Sequence, residues 1–409
     1  MSSGVFPSAP PSFVAANSAI PSPDDQSLDT IPPPGGGARG IYALAARIIA
    51  QASRSRPADE ALRRTLRSAR LSRVDSGVVR RLVFAYYRWR GLLDEPDNLP
   101  KALRQAGEIA AEFQSAPETF SGERLRAVAP GWVFSHLNAS PEWLRALQRE
   151  PPLWLRAKRG EADAVARALG NTRRGPLPDA LLYSGDQDLY RTESFQNGNF
   201  EIQDLASQVV GWVCGPKPGE TWWDACAGEG GKTIHLSGLM GNQGLIWASD
   251  RSDWRLARLR LRARRAGVYN YRARRWDGLA QPAPRTRFDG VLLDAPCSGV
   301  GTWQRNPQAR WTTTPQEVKE LAGVQRRLLD GAACAVKAGG RLIYSVCTLT
   351  RPETVEVKKA FESAHPDFAP LEITHPLEAG CRSDCVWLWP QNHQCNGMFI
   401  AAWRKRQPG

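Results

Sequence analysis

The stretch Phe288-Asp-Gly-Val-Leu-Leu-Asp-Ala-Pro-Cys-Ser-Gly-Val-Gly-Thr302 begins as an apolar run, reaches an aspartate, and stops at a proline, a cysteine and two glycines. A short apolar run bounded by such residues reads as a buried strand leaving into a tight loop. A second run, Arg341-Leu-Ile-Tyr-Ser-Val-Cys-Thr-Leu349, also ends on a cysteine, so Cys297 and Cys347 stand 50 positions apart at two strand ends. Two strands of one sheet would turn both thiols toward one ligand.

Upstream lies Trp222-Trp-Asp-Ala-Cys-Ala-Gly-Glu-Gly-Gly-Lys-Thr233. An apolar approach, small residues and three glycines, then Lys232 and Thr233 before Ile234, His235 and Leu236, read as strand, tight turn and helix. Glycines let the backbone approach a ligand, and a helix N-terminus favours a carboxylate or phosphate. It is not a P-loop, because the first glycine of that pattern would fall on Cys226. Leu245-Ile-Trp-Ala-Ser-Asp250 ends in an acid about twenty residues on, where doubly wound nucleotide folds hold a ribose. Tyr271 to Asp277 is a further strand ending in an acid. Helical periodicity fills the gaps, with Trp254, Leu256, Leu259 and Leu261 in one and Val318, Leu321, Val324, Leu328 and Leu329 in another. This alternation predicts an α/β, mostly parallel, doubly wound sheet that binds ligands at the carboxyl ends of its strands. Asp224, Asp250, Asp277, Asp294, Cys297 and Cys347 then share one rim.

On these residues the chain resembles the Nol/Nop/Sun RNA cytosine-5 methyltransferases, and within them the bacterial Sun-type (RsmB-like) enzymes of small-subunit ribosomal RNA. The motifs are 224–233, 294–302 and Tyr344-Ser-Val-Cys-Thr-Leu-Thr350, with Phe195 to Asp204, Ala206-Ser-Gln208 and Asn396-Gly-Met-Phe-Ile-Ala401 beside them. The likeness runs from about Arg39 to Arg406. It implies a Rossmann-like catalytic domain dependent on S-adenosylmethionine, preceded by an all-α NusB-like domain. It further implies that Cys226, Ala227, Gly228, Glu229, Gly230, Gly231 and Lys232, with Asp250, Asp277 and Asp294, hold the donor. Cys347 is then the nucleophile and Cys297 helps release the product. Gly228-Glu229 stands where the family has Ala-Pro, Val346 and Thr348 replace Thr and Ser, and Asn396 replaces Asp.

The chemistry makes sense of those roles. Carbon 5 of cytosine attacks a methyl sulfonium poorly; a thiolate added at carbon 6 turns the ring into an enamine that attacks well. An acid at N3, for which Asp294 is the candidate, stabilises the adduct, and Cys297 assists loss of the carbon-5 proton and the thiol. DNA cytosine-5 methyltransferases place the nucleophile in a Pro-Cys motif, which would select Cys297; the second cysteine argues for Cys347. Transfer RNA is the alternative substrate, and an RNA-binding assembly factor without catalysis the alternative class.

The formal net charge of +13, carried mostly by arginine, suits an RNA partner. Arg156, Lys158, Arg159, Arg173 and Arg174, with Trp154 and Tyr183, are the expected contact surface, and the run Arg251 to Arg275 reads first as a solvated helix face. Residues 1–38 read as a disordered tail, 39–150 as the helical domain, 151–200 as a linker that touches RNA, and 201–409 as the catalytic domain. Within the helical domain, Asp75-Ser-Gly77 reads as a turn and N-cap. No targeting signal or membrane-spanning run is seen, so a cytoplasmic, monomeric protein without DNA or membrane partners is expected. Cys381, Cys385, His393 and Cys395 match no common zinc spacing, and no metal is expected.

Overall fold

The computed structural model describes residues 38–69, 71–278 and 287–407, so nearly all of the expected tail lies outside them. The helices Ala38–Gln51, Ala58–Ser68, Arg73–Trp89 and Leu99–Ser115, with shorter ones at Gly122–Arg126, Val133–His136 and Pro141–Ala146, build the N-terminal part. Apolar residues at helical spacing form its core: Ile48, Val79, Leu82, Trp89, Leu103 and Trp143 are all buried. The N-cap of Arg73–Trp89 is Ser72 and not Asp75-Ser-Gly77. The Ser72 hydroxyl accepts from Asp75 N at 3.0 Å and donates to the Asp75 carboxylate at 2.8 Å, so the helix starts earlier.

The expected linker is folded. Strands β1 (Leu153–Ala157), β2 (Thr172–Arg174), β3 (Ala180–Tyr183) and β4 (Phe200–Ile202) make an antiparallel sheet in the order β2-β3-β1-β4. The helix Ala162–Leu169 covers it through Ala162, Val165 and Leu169.

The large sheet carries the site. Strands β5 (Thr221–Asp224), β6 (Leu245–Asp250), β7 (Tyr271–Arg275), β8 (Phe288–Asp294) and β9 (Val336–Val346) run parallel in the order β7-β6-β5-β8-β9. The two-stranded β11 (Ile373–Thr374) and β12 (Arg382–Ser383) stand apart. β14 (Met398–Lys405) adds antiparallel to β9, and β10 (Phe368–Pro370) and β13 (Cys385–Leu388) pair with β14. This is the α/β Rossmann-like arrangement, and its strand order reverses between β5 and β8. A crevice opens at such a switch point, beyond the strands' carboxyl ends.

Candidate active site

β5 ends at Asp224, which is fully buried. Its Oδ2 accepts the Thr233 hydroxyl at 2.6 Å, while Oδ1 has no hydrogen-bond partner. Burial pushes this carboxyl up to about 7, with the Thr233 bond opposing. The chain then turns through Gly228 and Gly230, whose φ angles of 55° and 87° lie where L side chains are strained. A Cβ on Gly230 would also sit 2.7 Å from Leu259 Cγ. β6 ends at the buried Asp250, whose carboxylate accepts from Gly228 N at 3.0 Å and Ser252 N at 2.8 Å. The glycine loop is thus tied to the neighbouring strand end. Trp276 N donates to Asp250 O at 3.1 Å, which brings the exit of β7, and the exposed Asp277 after it, to the same edge. Glu229 lies beside Arg258 at 3.9 Å, on the helix Asp253–Arg265.

At the end of β8, Asp294 accepts from Lys232 Nζ and from the Ser345 hydroxyl, each at 2.7 Å. Burial works against the Lys232 charge, but the Asp294 carboxylate outweighs it and raises the lysine's pKa. The two thiols meet beside this pair, with Cys297 Sγ 3.3 Å from Cys347 Sγ. The hydrogen bond between the two thiols first, then burial, holds Cys297 well above the usual thiol range. The same bond lowers Cys347, with Lys232 assisting against burial and Asp294. The pair therefore has one sulfur disposed to be thiolate and one disposed to keep its proton. Three groups that sequence reasoning missed hold this corner: Ser345 on Asp294, Gly301, and the buried Glu353 under both cysteine loops. Gly301 packs so that an added Cβ would lie 2.1 Å from Gly397 O and 2.9 Å from Cys347 O.

The loop after Cys297 is also held by the helical part. Val300, Trp303 and Leu349 sit in the helical core itself, with the Trp303 ring 5.9 Å from that of Trp132. Arg310, fully buried, donates to Val128 O at 2.8 Å, Leu147 O at 3.2 Å and Arg88 O at 3.3 Å. Gln308 Oε1 accepts from Ala58 N, and Trp311 Nε1 donates to Tyr87 O, both at 2.6 Å.

The expected RNA surface needs correction. Trp154, Arg156 and Tyr183 are buried, because β1 and β3 pair and turn these side chains inward. Trp154 Nε1 donates to Gln394 O, and Arg156 Nε to Gln203 Oε1. Lys158, Arg159, Arg173 and Arg174 remain exposed. Within the Arg251–Arg275 run, Arg262 and Arg265 turn inward to the buried Glu201, and most of the others face solvent.

Cys381, Cys385 and Cys395 do not converge with His393; among the described residues, the one such cluster is His375, Glu378 and His393. His393 Nε2 lies 3.0 Å and His375 Nε2 4.0 Å from Glu378 Oε1. Leu377 N donates to His375 Nδ1 at 3.2 Å, so neutral His375 carries its proton on Nε2, which has no hydrogen-bond partner among the described residues. No described helix is long and apolar enough to cross a membrane.

The family model described as 16S rRNA methyltransferase RsmB/F matches residues 212–404. The probable ribosomal RNA small subunit methyltransferase B of Synechocystis sp. is 38% identical over 246 residues, 58% of this chain and 55% of that protein. The matched segment, residues 212–404, is similar to the RsmB/F methyltransferase domain. The chain spans about half the length of the curated relatives it matches. A methyltransferase homolog protein from Pyrococcus horikoshii is 30% identical at a TM-score of 0.56, over 65% of this chain and 90% of that one. The crystal structure of PH0851 shares the fold at a TM-score of 0.75 and 24% identity, over 92% of this chain and 100% of that one.

Proposed function

We propose that this protein methylates carbon 5 of a cytosine in RNA, small-subunit ribosomal RNA by preference, through a covalent adduct of Cys347 with carbon 6. The carrying observation is the 3.3 Å thiol pair at the end of β9, beside the Lys232–Asp294 pair. In this reading 39–150 form a NusB-like helical domain that braces the catalytic domain 201–409, and 151–200 present exposed bases to RNA.

The donor crevice fits S-adenosylmethionine. The Gly228–Gly230 backbone leaves room that side chains would fill, the helix Gly231–Leu239 points its N-terminus there, and buried Asp250 offers acceptors that suit a ribose diol. When bound, this cofactor supplies an electrophilic methyl group on sulfonium. Cys226 to Lys232, Asp250, Asp277 and Asp294 are the residues we assign to holding it. Glu229, drawn toward Arg258, contributes mainly its backbone.

The protein's own groups then act in order. Cys347 thiolate adds to carbon 6 while Asp294, partnered by Lys232, steadies the N3 edge of the ring by hydrogen bonding or proton donation. After methylation, the carbon-5 proton departs with Cys297 as base or relay, and the Cys347 thiolate is expelled. Lowering a thiol from about 8.5 to about 7 raises its thiolate fraction at neutral pH roughly fifteen-fold, or about 1.6 kcal/mol. Enzymes typically supply at least ~8 kcal/mol, and near-attack positioning contributes about 7–11 kcal/mol. Holding base and donor in line is therefore the larger share.

The test is to mix Cys297→Ala and Cys347→Ala separately with small-subunit ribosomal RNA and S-adenosylmethionine and run denaturing gels. A protein–RNA band from Cys297→Ala alone is expected, because the adduct forms and cannot resolve. A band from Cys347→Ala alone would reverse the two roles. Failure of every form, wild type included, on ribosomal and transfer RNA would overturn the reading.

A further inference from the structure

Glu353 is a carboxylate buried among neutral donors. It follows Arg351-Pro352 in a short 3₁₀ turn and is fully covered. Its Oε1 accepts from Ser298 N at 2.8 Å and Gln325 Nε2 at 3.1 Å. Its Oε2 accepts the hydroxyls of Ser298, Thr348 and Thr350, the last two at 3.1 and 2.8 Å. All five donors are neutral groups. Ser298 adjoins Cys297, and Thr348 adjoins Cys347, so one carboxylate grips both cysteine-bearing loops. The Ser298 and Thr348 hydroxyl oxygens lie 3.0 Å apart. The grip is itself anchored, since the one Tyr344 hydroxyl sits 2.6 Å from Glu353 O and 2.9 Å from Gln325 Oε1, an acceptor on either side of its proton.

An ion taken out of water costs several kcal/mol even when hydrogen-bonded, and an apolar side chain of similar volume often serves stability as well or better. What an apolar side chain does not do is accept from two loops at once and fix their separation. We propose that Glu353 is a positioning residue for the cysteine pair, setting the distance and aim at which Cys297 and Cys347 meet. Its charge also favours the protonated form of Cys297, after the Cys347 bond and burial. The catalytic consequence rests on the reaction proposed above; the geometric claim does not.

The geometry is therefore read without methyl transfer. Diamide takes two electrons and two protons from a thiol pair, becoming the hydrazine as the S–S bond forms. Closing the pair must bring sulfurs 3.3 Å apart to about 2 Å, so its rate reports how they are held. The Cys297–Cys347 link is quantified by peptide mass in the full chain. Glu353→Gln places an amide NH₂ against donors and is expected to slow closure roughly tenfold or more, with kcat falling at unchanged KM for RNA and donor. Thr350→Val removes one donor and should slow closure less, and it carries the test if Glu353→Gln does not fold. Val165→Ala, in the helix that covers the small sheet, serves as a stability control and should close at the wild-type rate. Wild-type closure and kcat in a folded Glu353→Gln, or equal slowing in Val165→Ala, overturns the inference. Slowed closure in a protein whose wild type methylates neither RNA would retire the proposed reaction and leave the positioning role standing.

Discussion

Replacing Asp224 with Asn tests whether the end of β5 is held as a neutral acid. The carboxyl is fully buried, has one oxygen without a partner, and is pushed up from 3.8 to about 7. Between those values the native protein keeps a proton that the unfolded chain has released. Stability therefore falls as pH rises from about 4, by up to about 1.4 kcal/mol per unit, and levels off above about 7. The whole effect approaches about 4 kcal/mol, of which about 2.5 falls between pH 5 and pH 8. Asn is always neutral and fits the same space, so Asp224→Asn loses this dependence. The assay is urea unfolding of both proteins at the two pH values, followed by tryptophan fluorescence. Asp224→Asn should gain about 2.5 kcal/mol relative to wild type on going from pH 5 to pH 8. Parallel pH dependence in the two proteins would mean that Asp224 is ionised in the fold, and the account of this strand end would be wrong.

Other perturbations follow from the same corner. Lys232→Met leaves Asp294 without its cation and should lower stability by about 3 kcal/mol in thermal unfolding. It should also move the pH–rate profile of methyl transfer upward, because Cys347 loses the charge that favours its thiolate. Asp250→Asn turns an NH₂ toward Gly228 N or Ser252 N and should weaken donor binding about tenfold to a hundredfold by calorimetry, with RNA affinity unchanged. Gly301→Ala forces the backbone away from Gly397 O and Cys347 O, and single-turnover methylation should fall roughly a hundredfold while far-UV dichroism is retained. Arg310→Met leaves three backbone carbonyls of the helical part without their donor, and the melting temperature should drop by the equivalent of about 3 kcal/mol or more.

The parallel strands were legible because apolar runs ending in acids keep their meaning in any context. β6 and β8 lie where Leu245–Asp250 and Phe288–Asp294 place them. β9 begins five residues earlier than its apolar run, since the backbone bends through Gly339 and Gly340 before the regular pairing with β8. The small sheet was missed because β2 and β4 are only three residues long, too short for a period to show. For the same reason Trp154, Arg156 and Tyr183 read as surface groups although cross-strand pairing buries them. Glu353 gave no signal at all. In Thr350-Arg-Pro-Glu-Thr354 it looks like any acid after a turn, and only the tertiary approach of Ser298 and Gln325 gives it a role.

Trp303 inside the helical core has a consequence in time. The bundle's own last helix ends at Ala146, yet the part of its core filled by Val300 and Trp303 stays open until residues 300–303 have been synthesised. At about 5–20 residues per second the interval lasts roughly 8–30 s. Through that interval an apolar socket shaped for Val300 and Trp303 stays open to solvent, a binding face for chaperones and a hazard in crowded synthesis. The event that closes it also seats the loop bearing Cys297, so filling of the helical core and placement of that thiol are one step.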